Sequence, residues 1–80
     1  MDDKSIMSHI NELVEEERSL REAEAAGTID DPGRERMQSL EVELDRTWDL
    51  LRQRRARRDF GENPDEAQER SPEVVENYLQ

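Results

Sequence analysis

Apolar residues recur through the first third of the chain at three- and four-residue steps. Ile6, Ile10, Leu13, Val14 and Leu20 would share one face of a helix. The spacing predicts a helix over residues 5–26. Asp2 or Asp3 can cap its start, because a carboxylate there accepts free backbone N–H groups and meets the positive end of the helix dipole. Gly27 should end it, since glycine readily enters the left-handed conformation that closes many helices. The run Gly27-Thr28-Ile29-Asp30-Asp31-Pro32 is the clearest punctuation in the chain. Asp31 can cap a second helix, and Pro32 suits its first position, where a missing N–H costs nothing. So short a connection turns the second helix back along the first.

The second helix is predicted over 32–58. Met37, Leu40, Leu44, Trp48 and Leu51 fall within a sector of about 80° at helical spacing. Folding about the turn sets Leu20 near Leu40, Val14 near Trp48 and Ile10 near Leu51. Met7, Val42 and Leu50 point off this seam, with Trp48 at its margin. Residues 59–70 contain both glycine and proline in a polar setting and read as a linker. Ser71-Pro72 then opens a short helix over 71–80, with Val74, Val75, Tyr78 and Leu79 at helical spacing. Isolated helices this short do not persist in water, so it must dock or engage a partner to stay ordered.

The chain is therefore expected to be all-α: an antiparallel two-helix hairpin over 1–58, a linker, and a short C-terminal helix. With 80 residues, 31% of them hydrophobic and 42% charged, one such seam makes a small core. The apolar residues left over suggest that two hairpins pair as a homodimer, a four-helix bundle with coiled-coil-like packing. Glu17 interrupts the apolar stripe between Leu13 and Leu20 and requires a cation or water. Two solutions are open. Glu17 can sit at the edge and bond Arg21, one turn away. Alternatively it can meet Arg55 and Arg58 of a second chain, because those two continue the helix 2 stripe; buried polar positions of that kind fix register.

The formal charge of -10 is unevenly spread. Residues 1–33 hold ten acids and three bases, 34–58 five acids and eight bases, and 59–80 seven acids and one base. A basic block between two acidic ones favours pairing within the chain. Its densest part is Arg52, Arg54, Arg55, Arg57 and Arg58, close to Trp48. Arginines near a helix C-terminus complement its dipole, and here they also come beside Asp2 and Asp3 and under the acidic tail. As recognition features, Trp48, these five arginines, Tyr78 and Leu79 are the candidates, with Glu17 the candidate buried specificity position. The favoured partners are a second copy of the chain and another protein. Nucleic acid bound through the arginine run is the alternative, against which the acidic blocks act at longer range.

Other chemistry finds little support. Without cysteine there is neither a disulfide nor a thiolate metal site. His9-x-x-Glu12 reverses the order of the usual helical carboxylate-bridged metal motif, so no metal or other cofactor is expected. There is no Ser/His/Asp set with plausible geometry and no glycine-rich phosphate loop, so an enzyme is not expected. No apolar run approaches a membrane span, and the acidic start does not read as a signal peptide, which makes the cytoplasm the expected compartment.

Several stretches resemble a family of short, mainly actinobacterial proteins catalogued as domain of unknown function 2630. They are Leu13-Val14 with Glu16-Glu17 and Leu20-Arg21, then Leu44-Asp45 with Trp48-Asp49-Leu50-Leu51-Arg52, the basic run through Arg58, Asn63-Pro64-Asp65-Glu66-Ala67, and the ending Tyr78-Leu79-Gln80. The resemblance covers nearly the whole chain and implies a helical hairpin, with no site residues to carry over. The family pattern often has a histidine after the glutamate pair, where this chain has Arg18; that departure speaks against a titrating or metal-binding role at the position.

Overall fold

The structure, a computed structural model, describes residues 2–79, with Tyr78 and Leu79 described in backbone alone. The expectation that the side chains of Tyr78 and Leu79 anchor a partner therefore lies outside the described residues. The described chain is helical throughout: α1 (Asp3–Ala25), α2 (Asp31–Asp59), a single 3-10 turn (Pro64–Glu66) and α3 (Pro72–Leu79).

Each boundary has a local cause. Asp2 caps α1 and accepts from the Ser5 amide at 2.8 Å. At the other end Gly27 takes φ +74°. The Thr28 amide then donates to the Ala23 carbonyl at 2.8 Å and that of Gly27 to Glu24 at 3.1 Å, which satisfies the last carbonyls. Asp30, not Asp31, caps α2, accepting from the Gly33 amide at 2.8 Å, so Pro32 lies one position deeper than expected. Gly33 allows that approach: a Cβ there would stand 2.9 Å from the Asp30 carboxylate and from the Ile29 side chain. α2 closes as α1 does. Gly61 takes φ +73°, and the Glu62 and Gly61 amides donate to Arg57 and Arg58 at 2.7 and 3.0 Å.

The hairpin core consists of Ile6, Ile10 and Leu13 from α1 against Leu40, Leu44 and Leu51 from α2. Met7 and Leu50, expected off the seam, pack against this cluster together with Leu20. Conversely, Val14 and Trp48 stand largely outside it, 38% and 37% exposed. The inner face of α2 is thus rotated away from Trp48. Thr47 is buried, donating to the Glu43 carbonyl at 2.7 Å, and Arg54 rather than Arg55 continues the inner face.

Residues 59–70 are not a free linker. They run back along α2, held by Gln53 donating to the Gln68 carbonyl (2.9 Å) and Arg46 to that of Arg70 (2.9 Å). A chain rich in carboxylates whose one large apolar residue, Phe60, stays exposed can still dock when the helix beside it carries arginines and an amide. α3 then packs on α2, burying Val75 to 2% exposure apart from the main cluster. α2 is the central element, with α1 on one side and the returning chain on the other. The Cα envelope measures 49 × 26 × 15 Å.

Candidate functional site

The arginine run is divided by the fold. Arg54 is 7% exposed; its Nε donates to Asp3 at 2.7 Å and its Nη1 to Asp65 and the Pro64 carbonyl at 3.0 and 3.2 Å. Arg58 pairs with the same Asp3, and Arg57 lies 3.4 Å from Glu62 and 3.7 Å from Glu66. Hydrogen bonds from Arg58 and then Arg54 hold the Asp3 carboxyl down at about 2. Arg54, Arg57 and Arg58, candidates for binding a partner, thus pair within the chain and fasten α1, α2 and the returning chain to one another. Arg52 and Arg55 are exposed and make no ion pair among the described residues.

A second ionic cluster has no counterpart in the sequence reading. Asp49, 4% exposed, accepts from Gln53 at 3.0 Å and meets Arg70 Nε at 3.0 Å, while Arg46 reaches Glu69 at 3.7 Å. Arg70 is the one base among residues 59–80, and that isolation is the signal available to find it. A shallow groove beside the cluster is lined by Asp49, Arg52, Arg57, Phe60 and Arg70.

The two long edges of the hairpin differ. One is closed by polar pairs, His9 with Glu43 at 3.1 Å and Glu16 with Arg36. On the other, Arg21 stands 4.0 Å from Glu41 and 3.3 Å from Glu17, whose side chain is 17% exposed. Glu17 thus lies at the seam's edge beside a cation of its own chain. Seven residues return a helix to within about 20° of the same bearing. Seven residues from that pair, away from the turn, come Val14 on α1 and Trp48 on α2; seven further come Met7 and Arg55. This edge is therefore a ladder of Arg21–Glu41, Val14–Trp48 and Met7–Arg55, with an exposed apolar centre.

Beside it α3 brings Glu76 against α2. The Glu76 carboxyl is pushed up from its ordinary value by a hydrogen bond to Asp45, then by burial and by the charges of Asp45 and Glu41. Its Oε1 is buried with no hydrogen-bond partner. Glu41, Asp45 and Glu76 form an acidic trio whose only cation among the described residues is Arg21, at its far edge.

The model of a family described as "Protein of unknown function (DUF2630)" matches residues 2–80. The chain belongs to this family. Uncharacterized proteins of Mycobacterium tuberculosis (strain H37Rv) and Mycobacterium bovis are each 42% identical to it over 77 residues, covering 95% of this chain and 88% of the relative. No solved structure matches. Membership accounts for the likeness along the chain and transfers no functional residue. Among the described residues no helix is long and apolar enough to cross a membrane, and no group of three His, Cys, Asp or Glu side chains could hold a metal ion.

Proposed function

We propose that this protein is a non-enzymatic helical interaction module of the cytoplasm, which self-associates into a four-helix bundle and presents its surface to another protein. One observation carries this reading: Trp48 and Val14 stand exposed together at the centre of one edge, while the opposite edge is closed by polar pairs. A large aromatic side chain left more than a third exposed is the kind of anchor that dominates helical interfaces. The small core points the same way, since burying that edge would add apolar area the monomer lacks. Catalysis has less to stand on, because the groove is shallow and its Asp49, Arg57 and Arg70 are engaged with neighbouring side chains. Nucleic-acid binding is disfavoured by the internal pairing of three of the five clustered arginines.

The test is recovery from native lysate on tagged wild-type protein and on Trp48→Ser, with and without nuclease. Retention of the same protein partner under both nuclease conditions, and its loss in Trp48→Ser, is the expected result. Recovery that disappears with nuclease would replace this proposal with nucleic-acid binding through Arg52 and Arg55. Recovery of the tagged chain's own copies alone would reduce it to a purely structural, self-associating protein.

A further inference from the structure

Three features of the Trp48 edge are incompletely matched inside the molecule. Trp48 is 37% exposed at its centre. Arg52 and Arg55 are exposed and make no ion pair among the described residues. Glu41, Asp45 and Glu76 crowd together, and Glu76 Oε1 is buried without a hydrogen-bond partner. The cations and the carboxylates lie on the same face of α2, on opposite sides of the tryptophan.

Their spacing is symmetric. Glu41 precedes Trp48 by seven residues and Arg55 follows it by seven, about 10.5 Å along the axis in each direction. Over those two heptads the bearing drifts by only about 40°, so all three face one way. Asp45 and Arg52 repeat the relationship closer in, three residues before and four after. A two-fold axis beside Trp48 and perpendicular to α2 therefore carries the basic half of the face onto the acidic half.

We propose that a second copy of this chain docks on the Trp48 edge with its α2 antiparallel, placing Arg52 and Arg55 of each copy against Glu41, Asp45 and Glu76 of the other. Trp48 packs on its symmetry mate and Val14 beside its own. The interface is isologous and closed, so it yields a dimer and stops. A parallel arrangement would set Val14 over Trp48, Arg21 over Glu41 and Arg55 over Met7, leaving Arg52 and Arg55 without carboxylates. Charge complementarity selects the antiparallel one. This interface presupposes the self-association proposed above and names the surface and the residues that carry it.

The experiment is sedimentation equilibrium on the full chain, with helicity of each variant checked by circular dichroism. Glu41→Arg and Arg55→Glu each turn two attractive contacts per dimer into repulsions, and each raises the dimer dissociation constant roughly tenfold or more. Mixing the two variants recovers association, because the hetero-pair restores opposite charges at both contacts. Recovery on mixing is the result expected. If the wild type dimerises but both variants do so equally well, this interface is wrong while self-association stands. If the variants weaken and mixing does not rescue them, Glu41 acts through Arg21 of its own chain and the proposal falls. A wild type that stays monomeric up to millimolar concentration overturns the interface and the self-association together.

Discussion

Arg54 and Asp3 are 51 positions apart in the chain and 2.7 Å apart in space. Their contact closes the open end of the hairpin, opposite the turn at Gly27. At the turn the chain itself joins α1 to α2; at the open end side chains must do so. Because the same guanidinium also reaches Asp65 and the Pro64 carbonyl, one buried arginine fastens three segments.

Removing that guanidinium should therefore cost more than removing one on the surface. Arg54→Gln should lower the melting temperature by about 5–10 °C, the effect of losing one to two kcal/mol in a domain of this size. Arg34→Gln, whose partner Asp31 is itself highly exposed, should change it by no more than about 2 °C. Thermal melts followed by circular dichroism decide it; equal losses would mean that Arg54 is not the fastening.

Acid should act at the same place. The Asp3 carboxyl titrates at about 2 against an ordinary value of 3.8, a depressed value. Its contribution is then complete above pH 3.8 and is lost as pH falls towards 2. The melting temperature of the wild type should fall across that window. In Asp3→Asn it should already be lower at neutral pH and should lose less on acidification. A parallel decline in both proteins would place the acid-sensitive group elsewhere.

The two long helices and the turn between them were legible because each rests on local signals: apolar spacing, Asp2 as cap, Gly27 past the helix end. The inner face of α2 lies about one position away from the one its apolar spacing predicts. Trp48 draws the apparent stripe towards itself, whereas Thr47 and Arg54, polar by type, lie inside. Nothing local distinguishes Arg54 from Arg55; only the arrival of Asp3 and Asp65 from distant parts of the chain does. Among 12 bases and 22 acids, pairings are too many to choose from sequence alone. The docking of residues 59–70 was hidden for the same reason, since it depends on Asp49 meeting Arg70 and on side chains donating to loop carbonyls.

The two apolar contacts of α2 should separate on mutation. Leu40 is fully buried in the cluster that joins α1 to α2, and Leu40→Ala should cost about 3 kcal/mol in urea denaturation, much of the stability of so small a domain. Val75 lies outside that cluster, on an α3 that touches α2 alone. Val75→Ala should release α3, seen as faster amide exchange over residues 72–79, while α1 and α2 keep their protection. Global unfolding by Val75→Ala would show that α3 is part of one cooperative unit.

Glu76 should make the docking of α3 respond to pH in the sense opposite to Asp3. Its value is raised in the docked state, chiefly by the hydrogen bond to Asp45, so its favourable contribution is complete below the ordinary 4.5 and is lost as pH rises through the raised value. No cation offsets this on α2, where Asp45 and Glu41 are the charged groups that face it; Glu73 on α3 adds to the same sign. In the dilute monomer, lowering the pH from neutrality towards 4.5 should thus slow amide exchange in α3 relative to α2, after correction for the intrinsic rate. Glu76→Gln keeps the shape, supplies a donor to Asp45 and removes the charge. In that variant α3 should be better protected at pH 7 and nearly insensitive to pH over this range. Should α3 of the wild type instead loosen on mild acidification, the Glu76 carboxyl is not raised in the docked state and this account of α3 fails.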